Sequence, residues 1–244
     1  MDIKIIYEDE NVIVVDKPAG IVVFPENESL KSGEKTLIDY LIEKYPELKS
    51  VGEKPRYGII HRLDKDTSGI LLVAKSHDGL IFLQQQFNDQ TLEKTLEKRY
   101  TALVVGNVKE NKGKLHTLIA RSKSDPRKQK IYEISDSQSP VSAREAITEW
   151  KVIERYRGYT LLEVKILTGR RHQIRCHLSF IHHPVAGDKL YGFKDSPCPK
   201  ELKRQFLHAN YLKIQLPNGK NQEFISELPM ELKNVLNKLE KNNE

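Results

Sequence analysis

Cysteine is scarce in this sequence. Only Cys176 and Cys198 occur among 244 residues. This excludes a disulfide framework and makes a reducing cytoplasm the expected home. Apolar runs are short, and none approaches the roughly 18 residues with which a helix crosses a bilayer, so no membrane partner is expected. The opening Met1-Asp2-Ile3-Lys4-Ile5-Ile6-Tyr7-Glu8 lacks the charged-then-apolar layout of a signal peptide. No glycine-rich run is followed by Lys and Ser or Thr, which excludes a phosphate loop of the nucleotide-hydrolase type. Acids are outnumbered, with 34 Asp and Glu against 40 Lys and Arg.

The resulting net charge of +6 favours a polyanion partner, nucleic acid first among them. The positive charge is clustered. Arg121, Lys123, Arg127, Lys128 and Lys130 fall within ten residues that hold one acid, Asp125. Arg170, Arg171 and Arg175 form another group, and Lys94, Lys98 and Arg99 a group diluted by Glu93 and Glu97. Hydrophobic residues make up 38% and charged residues 30%, the balance of a globular chain with a heavily charged surface. The length allows a substantial core, and no low-complexity linker or internal repeat divides it.

The β-branched runs at 3–7 and 12–15 predict a hairpin. Pro18 and Gly20 then break regular structure, and 21–24 reads as extended. Residues 26–35 read as a mobile loop. Thr36, with Asp39 in the first turn, predicts a capped helix with the stripe Leu37, Ile38, Leu41 and Ile42. Tyr57–Ile60 and Ile70–Ala74 read as two strands joined by a charged loop. Ser76 opens a second helix carrying Leu80, Leu83 and Phe87 on one face. A strand is expected over 98–105, and a hairpin over 143–154 and 158–167. Residues 109–114 read as a polar turn, and 121–130, which contains Pro126, as a flexible cationic loop. A helix is expected over 171–181, followed by a loop over 188–205. A last strand pair surrounds Pro217-Asn218-Gly219-Lys220, and an amphipathic helix follows Pro229. Strands outnumber helices without regular alternation, which predicts an α+β fold with a mixed, largely antiparallel sheet flanked by helices.

Two familiar chemistries fit poorly. His172, Cys176, His177, His182 and His183 crowd together, but at helical spacing His172 and Cys176 share a face that His177 leaves, so no metal site is expected. Asp64-Lys65-Asp66-Thr67 has the spacing of a phosphatase nucleophile loop. Such an enzyme needs further acids for magnesium, and only Asp188 and Asp195 are near to hand. A single loop carboxylate beside Arg62 is more consistent with the chain. An arginine keeps such a carboxylate ionised, and an ionised, oriented carboxylate can attack an electron-poor carbon or stabilise positive charge there. In a nucleic acid that carbon lies at the sugar–base bond, which is reached by turning the nucleotide out of its stack.

The segment Gly58-Ile59-Ile60-His61-Arg62-Leu63-Asp64-Lys65-Asp66-Thr67-Ser68-Gly69 resembles the signature of the RluA-type pseudouridine synthases. Four more segments match in order: Asp16-Lys17-Pro18-Ala19-Gly20-Ile21-Val22-Val23, Lys98-Arg99-Tyr100-Thr101-Ala102-Leu103-Val104, Gly169-Arg170-Arg171-His172-Gln173-Ile174-Arg175-Cys176-His177-Leu178, and Gly187-Asp188-Lys189-Leu190-Tyr191-Gly192. Leu207-His208-Ala209 also fits, so the resemblance runs over roughly residues 5–230. It implies isomerisation of uridine in tRNA or rRNA to pseudouridine, with no cofactor and no metal. It makes Asp64 the catalytic aspartate, acting either as nucleophile at the anomeric carbon or as base at the neighbouring sugar carbon. Tyr100 would pack on the target base, and Arg175 would pair with Asp64. Arg62 would fill the gap left by the flipped nucleotide. His61, Arg170 and Leu178 fall in the same motifs as further substrate contacts, and Arg127, Lys128 and Lys130 are the expected phosphate contacts.

Two departures stand out. Arg171 occupies a position where the family usually has threonine. The chain also opens directly on a strand of the catalytic domain, so the expectation is one catalytic domain over 1–244, without a separate N-terminal RNA-binding domain, acting as a monomer. The competing readings are an RNA-binding module without catalysis, which would not need Asp64, Tyr100 and Arg175 together, and a magnesium phosphatase.

Overall fold

A computed structural model describes residues 2–25, 34–88 and 96–241. The elements, in order, are β1 (Lys4–Glu8), β2 (Val12–Lys17), α1 (Leu37–Lys44), a 3-10 turn (Pro46–Ser50), β3 (Ser68–Ala74), α2 (His77–Asn88), β4 (Glu97–Val105), β5 (Lys112–Arg121), β6 (Gln129–Tyr132), β7 (Arg144–Tyr156), β8 (Tyr159–Ile166), α3 (Gln173–Phe180), β9 (Leu207–Gln215), β10 (Asn221–Ile225) and α4 (Met230–Asn237). The α+β expectation is borne out. Most of the expected loop at 26–35, and Lys94 of the third basic group, lie outside the described residues.

The chain packs as two compact units, one of residues 1–97 and 209–227, the other of 98–208 and 228–244. In the first, β1, β2 and β3 pair antiparallel in sequence, and β9 pairs antiparallel with β10. The β1–β2 turn is closed by the Asp9 carboxylate, which accepts the N–H groups of Asn11 and Val12 at 2.8 Å each. All seven residues of β3 are buried. Val12, Val14, Ile70 and Leu72 meet Leu80 and Leu83 of α2 and Leu212, Ile214 and Phe224 in one apolar cluster. That explains why α2 forms where its stripe predicts: burying the stripe supplies what a helix this short lacks in water. Gln86, on the buried side of α2, donates to the Gln215 carbonyl and accepts the Gln215 N–H, completing the backbone of β9.

α1 begins where expected, but the cap works mainly from the other side. The Asp39 carboxylate accepts both the N–H and the hydroxyl of Thr36, at 2.8 and 2.7 Å. Residues 21–24 are bent rather than extended in a strand, and they accept the first N–H groups of α1 through the Val22 and Val23 carbonyls. The strand expected over Tyr57–Ile60 is corrected more strongly. Tyr57 has φ 49°, in the left-handed region, and the segment keeps one bridge, Ile59 to Val73. A β-branched run does not decide conformation where the chain reverses within it.

In the second unit β4 pairs with β8, β8 with β7, β7 with β5 and β5 with β6, all antiparallel. The β7–β8 hairpin turns at Arg157-Gly158 as its sequence predicts, with a bulge between Val152 and Glu154. The cationic segment 121–130 is not a shapeless loop. Arg121 and Lys130 belong to strands, Arg121 pairs with Gln129, and the tip is closed by Ser122 N–H to Lys128 carbonyl at 3.0 Å. β6 is only four residues long and the segment itself holds just the last residue of β5, so no apolar alternation appears within it. α4 lays Leu232 and Val235 against Leu103, Leu161, Leu202 and Phe206.

Candidate active site

The Asp64 segment runs from the bridge at Ile59 into β3. Its backbone is clamped from the Lys17 turn. The Lys17 side chain is fully buried, and its ammonium donates to the carbonyls of Pro18 and Ile21 at 2.9 Å each and of Lys65 at 3.1 Å. Gly20 N–H donates to the same Lys65 carbonyl at 2.8 Å, and Thr67 N–H to the Asp64 carbonyl at 3.1 Å. A buried ammonium with three carbonyl acceptors has the partners that make its burial tolerable. Asp64 itself is half-buried, whereas Lys65 and Asp66 are exposed. The segment leaves through Gly69, which has φ +116° and lies so close to β9 that an added Cβ would stand 2.2 Å from the Ala209 carbonyl oxygen. Glycine is the residue that both the torsion and the space permit. The motif segments 16–23 and 58–69 thus share one local structure around Asp64, with Ala209 packed against Gly69.

His61 and Arg62 are anchored within this unit. The His61 ring stacks on Phe87 of α2, 4.9 Å between centroids and 14° between planes, and its Nε2 accepts the Leu72 N–H at 3.1 Å. The Arg62 guanidinium lies 5.8 Å from the centre of the Phe24 ring, with Arg56 over the same ring at 5.1 Å. Such cation–aromatic contacts help to orient a guanidinium.

Tyr100, Arg170, Arg175, Leu178 and the cationic hairpin belong to the second unit. Tyr100 is buried on β4, opposite Val164 of β8. Lys98 lies two residues earlier on the same buried face, where burial, reinforced by the Arg170 charge, pulls its amine down to about 8. Leu178 is fully buried in α3. Arg170 donates through Nε to the Glu145 carbonyl at 2.8 Å, and its N–H caps onto Gln173 Oε1 at 2.9 Å. Gln173 is buried with four partners, since it also accepts from Thr168 and donates to the Ile147 carbonyl and to Thr148.

The Arg175 guanidinium makes a two-pronged pair with Asp188, Nε to Oδ2 at 2.6 Å and Nη2 to Oδ1 at 2.9 Å, with both side chains buried. In the sequence Asp188 stands out as a candidate magnesium ligand and as part of the 187–192 motif, with no role as a partner of Arg175. Its signal was the Gly187-Asp188 turn, where Gly187 has φ +75° and an added Cβ would stand 2.3 Å from the Arg204 carbonyl oxygen. Among the crowded histidines, His177 is an internal strut. Its ring nitrogens meet Thr117 and Thr148 hydroxyls at 2.9 and 2.8 Å, and burial pushes its pKa down to about 4. Burial likewise raises the Cys176 thiol to about 12, which makes it unreactive near neutral pH. Among the described residues, no three His, Cys, Asp or Glu side chains gather as a metal site.

In the hairpin, Arg127 is paired at both prongs with Asp125, 2.9 Å each, and holds that carboxyl down at about 2. Lys128 lies over the Tyr191 ring at 6.0 Å and Lys130 over Tyr132 at 5.0 Å.

With this framework in view, residues 11–180 match the family model described as RNA pseudouridylate synthase. The chain belongs to this family. An uncharacterised RNA pseudouridine synthase of Aquifex aeolicus is 45% identical over 202 residues, covering 82% of this chain and 59% of that protein. The ribosomal large subunit pseudouridine synthase D of Borreliella burgdorferi is 38% identical over 231 residues, covering 93% of this chain and 65% of that one. The chain thus spans about three fifths to two thirds of the length of these two relatives. The solved human RNA pseudouridylate synthase domain containing 4 shares the fold at TM-score 0.74, with 24% identity over 98% of this chain and 95% of that one. The RluA-type resemblance of the motifs is borne out at the level of the family.

Proposed function

We propose that this chain isomerises uridine to pseudouridine in structured RNA, rRNA or tRNA, with Asp64 as the catalytic aspartate. The observation that carries this reading is the clamp on the Asp64 segment. Lys17, Gly20 and Thr67 grip the backbone carbonyls of Asp64 and Lys65, so the chain that carries the carboxylate is held in place. In the reaction, the N1–C1′ bond breaks and a C5–C1′ bond forms. A proton leaves C5 and one arrives at N1, so the change is internally balanced and draws on no external oxidant, reductant or group donor.

Tyr100 then packs on the flipped base, Arg175 pairs with the Asp64 carboxylate, and Arg62 occupies the place the nucleotide left. Flipping is consistent with a reacting bond that a stacked helix hides. His61, held by Phe87 and Leu72, orients the segment between the bridge and Asp64. Lys128 and Lys130 take RNA phosphates.

Mapping pseudouridine across total RNA from cells with and without this protein tests the reaction and names the substrate together. Sites that vanish with the protein, and return with the wild-type gene but not with Asp64→Ala, support the reading. An unchanged map overturns it and leaves the RNA-binding module.

A further inference from the structure

Resting on that reading, we propose that Asp188 and Tyr191 are positioning residues that fix Arg175 and the cationic hairpin to one turn. Asp188 receives four donors. Arg175 Nε and Nη2 supply two, and the N–H groups of Leu190 and Tyr191 supply the others, at 2.9 and 3.0 Å to Oδ1. A guanidinium bound side-on through Nε and one Nη has its plane fixed, and its remaining N–H groups are aimed by that plane. The Tyr191 ring lies beneath the same guanidinium at 5.2 Å, so Arg175 is held at its edge and on its face.

Tyr191 also reaches the hairpin. Its hydroxyl accepts the Gln129 N–H at 2.6 Å and contacts His172 Nδ1 at 3.1 Å, while its carbonyl accepts the Ser179 hydroxyl at 2.9 Å. The carbonyl of Gln129, in the next peptide group, is taken by Cys176, whose thiol donates to it at 3.4 Å. Gln129 lies between Lys128 and Lys130, so pinning its peptide sets where both ammonium groups emerge. The turn therefore has two separable duties. Asp188 serves the arginine needed in the reacting complex, and the Tyr191 hydroxyl serves the hairpin that meets the RNA backbone.

The duties predict opposite kinetic signatures. The assay is release of tritium from RNA labelled at uracil C5, with RNA affinity measured in parallel. Asp188→Asn keeps the size of the side chain but loses the charge and one acceptor for the fork. It should lower kcat about 10²-fold, as for a misaimed group, with KM within about threefold. Tyr191→Phe keeps the ring under Arg175 and loses the contact to Gln129. It should raise KM and the RNA Kd about fivefold, with kcat within about twofold. Two variants that shift kcat and KM alike, or not at all, overturn the proposal. If Asp188→Asn fails to fold by circular dichroism, Tyr191→Phe decides alone, and an unchanged KM and Kd overturns it. If wild type releases no tritium from any RNA, the enzyme reading fails and the Arg175 duty with it, while the Kd of Tyr191→Phe still decides the hairpin duty.

Discussion

Asp64 and Asp188 stand in turns built by opposite means. Around Asp64 the supporting contacts fall on backbone carbonyls, through a buried lysine, a glycine N–H and a threonine N–H. Around Asp188 the carboxylate is itself the support, gripping an arginine and two backbone N–H groups. A carboxylate that takes four donors is a structural anchor, and that is the role the hydrogen bonds give Asp188. Buried ionisable groups also differ between the units: Lys17 lies in the first, and Lys98, Arg175 and His177 in the second.

The largest expected effect comes from reversing the proposed role of Asp64. Asp64→Ala should cut tritium release by about 10⁴-fold or more, with RNA affinity within a few-fold. A variant retaining a tenth of wild-type turnover would erase the distinction between the two aspartates. Next, Lys17→Met should strand three carbonyls in the interior and cost about 3 kcal/mol in urea unfolding. A loss below about 1 kcal/mol would mean that the clamp is ornamental.

The pH response sharpens the contrast further. The folded pKa of His177 lies near 4, below its ordinary 6.5, so the unfolded chain binds the proton first as pH falls. Stability should therefore drop between pH 6.5 and 4, by about 3 kcal/mol in total. Lys98, pulled from 10.5 to about 8, should add stability as pH rises through that interval. Thermal melts of His177→Gln and Lys98→Met should lose the acid and the alkaline limb respectively, and an unaltered profile in either would remove that group from the account. The smallest effect concerns RNA affinity. Neutralising Lys128 and Lys130 should reduce the salt slope of RNA binding by about 1 to 2, and Arg127 should add less because Asp125 already matches its charge. Equal contributions from all three would contradict the pairing seen in the hairpin.

Much of the framework was legible in the sequence because it depends on local period and caps. The stripe of α2, the β7–β8 hairpin and the strand carrying Tyr100 follow from alternation and turn residues. What escaped had non-local causes. Arg175 and Asp188 are thirteen residues apart, and nothing in their spacing announces a pair. Residues 112–114, which read as part of a polar turn, open β5 because they pair with β7, and β6 is a four-residue strand made by its pairing with β5. Tyr57–Ile60 reads as strand until the chain reverses at Tyr57. The family motifs marked both turns, while the four donors on Asp188 emerged only from hydrogen-bond geometry.

The first unit draws on residues 1–97 and then on 209–227, with more than a hundred residues of the other unit between them. During synthesis, β3 must therefore leave the ribosome long before β9 exists to pack over Gly69. Until β9 is made, that edge of β3 is open, and an open edge of this kind invites mispairing. Assembly of the Asp64 turn is then a late step governed by a long-range closure, slow for its size and exposed to chaperones.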